Sequence, residues 1–242
     1  INLGRCFELL NSPEDSFKCF LEAEKINPDS SIILNNIGGY YVDQGKYIKA
    51  LDYYLKAYKK NNLDLLVLSN LAKTYFYLDN FELAEKYIKN FLEINNTSDD
   101  YRKTYGIFLF KQKKYPEAWK YYEARLKLSD FNIKKMHAQK IKDFLWNGRE
   151  IDKNEKILII KEQGIGDEIL YATMYSDLFK NFANVKIESD PKLIDLLKNN
   201  FHAHASSFFP YGHFSSDKKN LQNFDVVMYA GSLGRLFRKK KS

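Results

Sequence analysis

Hydrophobic and polar positions follow two different patterns along the chain. Up to about residue 132, apolar residues recur with a period of 34 residues, as three aligned segments show: Ser31–Asp64, Leu65–Ser98 and Asp99–Asn132. Each segment has a small residue at its eighth position and an alanine at its twentieth. Small side chains let two helices approach closely, so the pattern predicts stacked helical hairpins. The small residues are Gly38, Ala72 and Gly106, and the alanines are Ala50, Ala84 and Ala118.

The second pattern begins with four consecutive apolar residues, Ile157 to Ile160, which predict a strand buried on both faces. Gly164 and Gly166 then predict a tight turn, and from Asp167 the apolar positions recur at helical spacing. A strand, a glycine turn and a helix in this order leave free N–H groups beside the edge of a sheet. The turn is therefore a candidate ligand site.

Further strands and helices alternate after this turn, which favours a mainly parallel sheet. The predicted strands are 185–188, 203–209 and 224–229, and helices are predicted after Asp190-Pro191 and over 233–237. An amphipathic helix within 131–145 is expected to seal the repeat core. We therefore divide the chain into an α-solenoid, residues 1–145, and an α/β domain, residues 146–242.

The period of 34 residues resembles that of the tetratricopeptide repeat over about residues 1–132. The resemblance implies a superhelix whose concave face binds a polypeptide partner.

Asn2, Asn36 and Asn70 share one repeat position. In the tetratricopeptide superhelix of the O-GlcNAc transferases, which this array resembles, such asparagines form a ladder that holds a peptide backbone. An amide suits that task because it offers a donor and an acceptor. Thr104 breaks the ladder, and local packing is the alternative interpretation. Three further inner-face candidates for peptide binding lie beside Asn70, namely Lys73, Phe76 and Tyr77.

Two interpretations of the glycine turn differ in chemistry. Dinucleotide binding uses a Gly-x-Gly turn of this kind, but Ile169 occupies the place of the third glycine. The second interpretation comes from resemblance. The segments Trp146-Asn147-Gly148, Lys156-Ile157-Leu158 and Glu162 to Asp167 resemble a family of bacterial proteins that join tetratricopeptide repeats to a glycosyltransferase-like domain. The Gly166-Asp167-x-Ile-Leu turn also resembles the heptosyltransferases.

These resemblances imply a partial Rossmann-like domain, the N-terminal half of a glycosyltransferase of the GT-B type. That half holds the sugar acceptor, and the other half holds the nucleotide sugar. Asp167 would be the catalytic base, with substrate contacts from Glu162, Gln163, Gly164 and Gly166. A helix N-terminus stabilises the Asp167 anion but lowers its basicity, so simple helix capping is the alternative. Glu162 would approach the ligand or pair with a lysine.

The chain ends soon after the fourth predicted strand, which leaves no donor half. We therefore expect a glycosyltransferase-like protein that is inactive alone and that meets a nucleotide sugar only within a longer natural chain. The alternative is a non-catalytic interaction scaffold. The first residue is Ile1 rather than methionine, so we expect a piece of a longer protein.

Composition and charge limit the classes of function and of binding partner that the sequence predicts. Of the net charge of +7, Arg235, Arg238 and the three lysines 239–241 supply +5, so the charge does not predict nucleic-acid binding. No apolar run reaches the ~20 residues of a membrane span.

Two cysteines, Cys6 and Cys19, indicate a reduced, cytoplasmic protein. The histidines 202, 204 and 213 lack further ligands at metal-binding spacing, and no metal or cofactor is expected.

Overall fold

A computed structural model describes Gly4, Phe7, Leu10, residues 12–128 and residues 141–238. The chain forms two compact units, Ile1–Ala124 and Arg125–Ser242. The boundary predicted between residues 145 and 146 stays a prediction, because residues 129–140 lie outside the described chain.

Seven α-helices are described in the first unit, in which helices that open repeats alternate with helices that close them. They are α1 (Pro13–Ile26), α2 (Ser31–Asp43), α3 (Tyr47–Lys60), α4 (Leu65–Tyr77), α5 (Phe81–Ile94), α6 (Asp99–Lys111) and α7 (Tyr115–Tyr122). The starts of α2, α4 and α6 lie 34 residues apart, as do those of α3, α5 and α7. The helical repeat predicted from the sequence is confirmed.

Side-chain caps and left-handed turn residues fix the starts of these helices and the turns between them. The Asp64 carboxylate accepts hydrogen bonds from the backbone N–H groups of Leu66 and Val67, which caps α4. Each repeat turn has its left-handed residue at the same position, with φ values of 68° at Gly45, 55° at Asp79 and 61° at Lys113. Only the first of these residues is a glycine, the residue that most readily adopts a positive φ. Asp79 and Lys113 keep the same turn geometry without it.

The predicted small positions lie where helices pack most closely. A Cβ on Gly38 would meet the Tyr54 ring at 2.5 Å, and one on Gly106 would meet the Tyr122 backbone nitrogen at 2.7 Å. The three alanines at positions 50, 84 and 118 are fully buried. Large residues such as Tyr105 and Leu109 fill the remaining core between the helices.

Four strands and five α-helices are described in the second unit. They are β1 (Lys156–Ile160), α8 (Ile165–Ala172), α9 (Tyr175–Asn181), β2 (Asn184–Ser189), α10 (Ile194–Asn200), β3 (Phe208–Pro210), α11 (Lys218–Leu221), β4 (Val226–Tyr229) and α12 (Leu233–Phe237). The strand order is β3-β2-β1-β4, and every pairing is parallel. The third strand begins later than predicted, because residues 202–207 form a 3-10 helix.

Side chains of β1 alternate between two apolar layers. Ile157 and Ile159 face a cluster formed with Tyr175 and Leu178, whereas Leu158 and Ile160 face a second cluster. Alternation on a strand buried on both faces accounts for the continuous apolar run in the sequence.

The predicted capping helix over 131–145 falls largely on residues 129–140, outside the described chain. Of its described residues, Ile141 is fully buried in the layer that contains Leu158 and Val227. Leu145 then forms an isolated parallel bridge with Val227. These residues therefore contribute to the core of the α/β unit.

Candidate functional sites

The first candidate site is one face of the repeat-opening helices, here named the A-helix stripe. On α4 it consists of Leu66, Asn70, Lys73 and Tyr77, which are spaced so that they lie on one side of a helix. The equivalent residues are Ile32, Asn36, Gly39 and Asp43 on α2, and Asp100, Thr104, Ile107 and Lys111 on α6. The stripe thus repeats across three helices.

Large apolar side chains of the stripe are exposed. Leu66 is 66% exposed, Tyr77 is 57% exposed and Ile32 is 54% exposed. Tyr77 stacks on Tyr47, with ring centroids 5.2 Å apart, which orients its ring without burying it. Phe76 differs, because it is half-buried and stacks on Phe108 in the core at 4.4 Å. A peptide-binding role for Phe76 stays a prediction, and its ring has a structural partner.

Two asparagines of the predicted ladder lie in different environments. Asn70 Nδ2 donates a hydrogen bond of 2.9 Å to Asn35 Oδ1 on the neighbouring α2. Asn36 is half-buried as a residue, but its Nδ2 is shielded from solvent and has no acceptor among the described residues. Asn2 lies outside the described residues, so the full ladder stays a prediction.

Lys73 carries the positive charge at the centre of the stripe. Its ammonium lies over the ring of Tyr101, 5.5 Å from the centroid, and no carboxylate pairs with it among the residues that the structure describes. Tyr101 is held in turn by a hydrogen bond of 2.7 Å between its hydroxyl and Ser69 Oγ. The neighbouring Lys103 of α6 is instead paired with Asp100 at 3.2 Å. Lys73 is therefore positioned but not neutralised.

The second candidate site is the carboxyl edge of the sheet, where β1 and β4 end. Glu162, which follows β1, is fully buried. Arg125 donates to it from Nε at 3.1 Å and from Nη2 at 3.0 Å, and Nη2 also lies 3.4 Å from Ser232 Oγ beyond β4. A Cβ on Gly231 would collide with Glu162 and Arg125. The predicted lysine partner of Glu162 is an arginine, and its role in substrate binding stays a prediction.

Glu168 is a second buried carboxylate at this edge. It accepts a hydrogen bond of 3.0 Å from the Asp190 backbone N–H and a further one from the Ser189 hydroxyl. Lys161 lies 3.0 Å from Glu168 and 2.9 Å from Asp190. Burial is the largest influence on the pKa of Lys161 and lowers it, but the two carboxylates together leave that pKa above its usual value. Lys161 therefore stays protonated.

A third carboxylate, Glu188, is fully buried at the end of β2. It accepts from the backbone N–H groups of Gly212 at 3.1 Å and Ser215 at 2.8 Å, as well as from Phe214 N–H and the Ser215 hydroxyl. This loop closes around the anion and satisfies it. The buried contacts of Glu188, Arg125 and Glu168 were not predicted from the sequence.

Asp167 lies in the first turn of α8. Its Oδ2 accepts a hydrogen bond of 3.2 Å from the Gly164 backbone N–H, which is the capping contact considered as an alternative. The left-handed residue of this turn is Gln163, with φ of 60°. A Cβ on Gly166 would meet nothing within 4 Å, so crowding within the chain does not require that glycine. Catalysis by Asp167 and ligand contact by the turn stay predictions.

The histidines of the second unit have aromatic neighbours. His204 stacks on Phe179 with centroids 4.0 Å apart, and His213 stacks on Phe209 at 4.8 Å. In residues 12–128 and 141–238, no three histidine, cysteine or acidic side chains gather in a metal-binding arrangement. Over the same ranges, no helix combines the length and apolar character needed to cross a bilayer.

Comparison with known proteins identifies the helical pattern. Residues 32–61 and 67–98 match two family models, both described as tetratricopeptide repeat. These segments are tetratricopeptide repeats.

Curated relatives share parts of the chain. Mouse (Mus musculus) tetratricopeptide repeat protein 21A is 34% identical over 91 residues, which cover 38% of this chain and 7% of that protein. Human (Homo sapiens) RNA polymerase II-associated protein 3 is 30% identical over 146 residues, covering 58% of this chain and 22% of that protein. The chain thus matches less than a quarter of either relative's length.

Solved structures agree on the fold of the repeats. A crystal structure of MamA has a TM-score of 0.50 at 15% identity, covering 58% of this chain and 82% of MamA. YrrB, whose structure is described as a TPR protein with an unusual peptide-binding site, also has a TM-score of 0.50, at 18% identity. That match covers 58% of this chain and 73% of YrrB. At these identities the likeness shows the fold alone.

Proposed function

We propose that this protein is an interaction scaffold that binds a polypeptide segment on its A-helix stripe. The observation that carries the proposal is the exposure of Ile32 on α2 and of Leu66 and Tyr77 on α4, the opening helices of consecutive repeats. Large apolar side chains on one face indicate a surface that a partner covers. The description of YrrB as having a peptide-binding site gives a relative of the same fold in which such a function exists.

The order of side chains along the stripe fits an extended segment. Asn36, Asn70 and Thr104 form a row of hydrogen-bonding groups, and the exposed Ile32 and Leu66 lie one helical turn away. A polypeptide backbone would bind the polar row, while its apolar side chains would cover the neighbouring row. The Asn36 Nδ2 lacks an acceptor among the described residues and is shielded from solvent, so a bound carbonyl would satisfy it once the side chain turns outward.

Peptide display tests this proposal. Random peptides are selected on the full chain, and the affinity of a selected, labelled peptide is measured by fluorescence anisotropy. We expect Leu66→Ser to weaken binding about 10-fold, as loss of an apolar anchor does. Ile48→Ser is the matched control, because Ile48 on α3 is 63% exposed but lies outside the stripe. Equal affinities for wild type and Leu66→Ser would contradict the proposal.

The ladder has a test of its own with the same peptide. Asn36→Ala removes the amide that lacks an acceptor, so we expect weaker binding with unchanged thermal stability. Asn70→Ala also breaks the hydrogen bond to Asn35, and we expect it to lower both affinity and stability. Unchanged peptide affinity in both variants would show that the asparagines do not bind the peptide, and only the apolar row would then remain as the proposed binding surface.

A second candidate function is sugar-acceptor binding by the α/β unit, as a Rossmann-like half of a glycosyltransferase-like protein. The supporting observation is the parallel strand order β3-β2-β1-β4, because chain order reverses between β1 and β4. In doubly wound sheets, ligands bind outside the carboxyl ends of strands at such a point. Gly164 to Asp167 follow β1 at that edge, although Glu162 there is held by Arg125, which also donates to Ser232.

Saturation-transfer NMR tests the second candidate with the full chain and a panel of UDP- and GDP-sugars and free monosaccharides. We expect monosaccharide signals that disappear in Gly166→Val, since position 166 has free space that a side chain would fill. Signals from no monosaccharide, or signals unchanged in Gly166→Val, would contradict acceptor binding at this turn.

A further inference from the structure

Charge on the A-helix stripe is distributed unevenly among its three helices. The acidic Asp43 lies on α2, the cation Lys73 lies on α4, and α6 contributes Lys111 near its end and Asp100, which is paired with Lys103, near its start. Among the described residues, no carboxylate pairs with Lys73 or Lys111. The half of the stripe formed by α4 and α6 thus presents two uncompensated cations.

Apolar side chains surround the central cation. Tyr77 lies one helical turn beyond Lys73, and the exposed Leu66 lies two turns before it. Ile107 occupies the position equivalent to Lys73 on the next repeat and is 38% exposed. Lys73 is exposed, and the contact of its ammonium with the Tyr101 ring favours this position above the stripe. A ligand crossing this region meets a positive charge within an apolar surface.

We propose that the partner is an extended segment in which an acidic side chain, flanked by apolar side chains, binds Lys73. This inference rests on the proposed function and names its ligand chemistry. A carboxylate would pair with the ammonium, and the flanking apolar residues would cover Leu66 and Tyr77. Neighbouring helices pack about 10 Å apart and an extended chain rises about 3.3 Å per residue, so roughly six residues cross three helices. Asp43 makes α2 unsuited to the acidic residue.

Three matched synthetic peptides test the proposal by fluorescence anisotropy with the full chain. They share one leucine-rich frame and carry glutamate, glutamine or lysine at the central position. We expect the glutamate peptide to bind about fivefold more tightly than the lysine peptide, as a partly exposed ion pair allows. Lys73→Glu should reverse this preference, and raising the salt concentration should weaken only the glutamate peptide on the wild-type chain.

Lys56→Glu is the control variant, because Lys56 is an exposed lysine that lies over the Tyr53 ring at 4.9 Å on α3, away from the stripe. It should leave all three affinities unchanged. Equal binding of the three peptides to wild type and Lys73→Glu would overturn the acidic preference but leave peptide binding intact. Failure of all three peptides, together with failure of display to yield any stripe-dependent binder, would overturn the proposed function as well.

Discussion

The two units of this protein use polar side chains in opposite ways. At the carboxyl edge of the sheet, Glu162, Glu168 and Glu188 are buried; Glu162 and Glu188 accept hydrogen bonds within their unit, and Glu168 is hydrogen-bonded at Oε2 and ion-paired with Lys161 at Oε1. On the A-helix stripe, Lys73 lacks an ion-pair partner among the described residues, and Leu66 and Tyr77 beside it are exposed. Charge that is internally satisfied stabilises a fold, whereas charge and apolar surface left exposed are available to a ligand.

The largest effect should come from breaking the buried pair of the second unit. Arg125→Met leaves Glu162 buried without its bidentate partner, so we expect a loss of about 3–5 kcal/mol in the free energy of unfolding of that unit. Urea denaturation followed by circular dichroism measures it.

Two variants control this experiment. Arg149→Met breaks the more exposed pair with Glu155, which solvent screens, and should cost far less than Arg125→Met. The double variant Arg125→Met/Glu162→Met removes both buried charges and should recover much of the lost stability. A loss below about 1 kcal/mol in Arg125→Met would show that the pair is not a structural anchor.

The close approach of helices in the repeats gives the next effect. Gly106→Ala places a methyl group against the Tyr122 backbone nitrogen and the Ala118 carbonyl oxygen, which cannot rotate away. We expect a loss of about 1–3 kcal/mol, measured by urea denaturation. Gly39→Ala is the matched control, since the nearest atom is the Tyr54 hydroxyl oxygen at 3.9 Å. In that variant the helix should gain up to about 1 kcal/mol, and a similar loss in both would contradict the packing account.

A smaller, pH-dependent effect is expected at Glu85, an acidic group between helices of the repeats. Burial alone would raise its pKa, but hydrogen bonds from Lys114, Lys89 and Tyr105 outweigh burial and lower the pKa from 4.5 to about 2. A carboxyl with a depressed folded-state pKa stabilises the fold above its unfolded pKa, and this stabilisation is lost as the pH falls towards 2.

Glu85→Gln should therefore lower the thermal unfolding midpoint at pH 7, and its difference from wild type should shrink when both are measured at pH 3. Circular dichroism at the two pH values provides the comparison. A midpoint difference that is the same at both pH values would show that the Glu85 charge contributes nothing to stability.

The smallest effect concerns the predicted catalytic residue. Asp167→Ala removes the cap on Gly164 and should cost about 0.5–1 kcal/mol, whereas Asp167→Asn keeps an acceptor and should cost less. Both variants should bind the selected peptide as wild type does, because Asp167 belongs to the other unit. Weaker peptide binding by either variant would contradict the proposal that the repeats alone bind the peptide.

Local patterns in the sequence predicted most of the secondary structure. The 34-residue period located the helices of the repeats, because spacing between small and large residues is a local signal. The apolar run at β1 and the helix at Leu233–Phe237 were likewise read correctly. The third strand was placed too early, since nothing in Ala203 to Ser207 distinguishes a 3-10 helix from an extended segment.

Long-range polar contacts could not be predicted in the same way. Arg125 and Glu162 are separated by 37 residues, and neither has a neighbour that signals the pairing. The apolar positions that follow Asp167 predicted an apolar helix face. On α8, however, Ile169 and Leu170 are 51% and 62% exposed, whereas the preceding Glu168 is buried. The capping contact of Asp167 was foreseen as an alternative because it spans only three residues.

Hydrogen–deuterium exchange on the full chain, with and without a display-selected peptide, tests the central claim most directly. The A-helix stripe as binding surface predicts slower exchange in α2, α4 and α6, with the segment from Lys161 to Glu168 unchanged. Slower exchange confined to that segment, with the repeat helices unaffected, would contradict the account and move the binding site to the edge of the sheet.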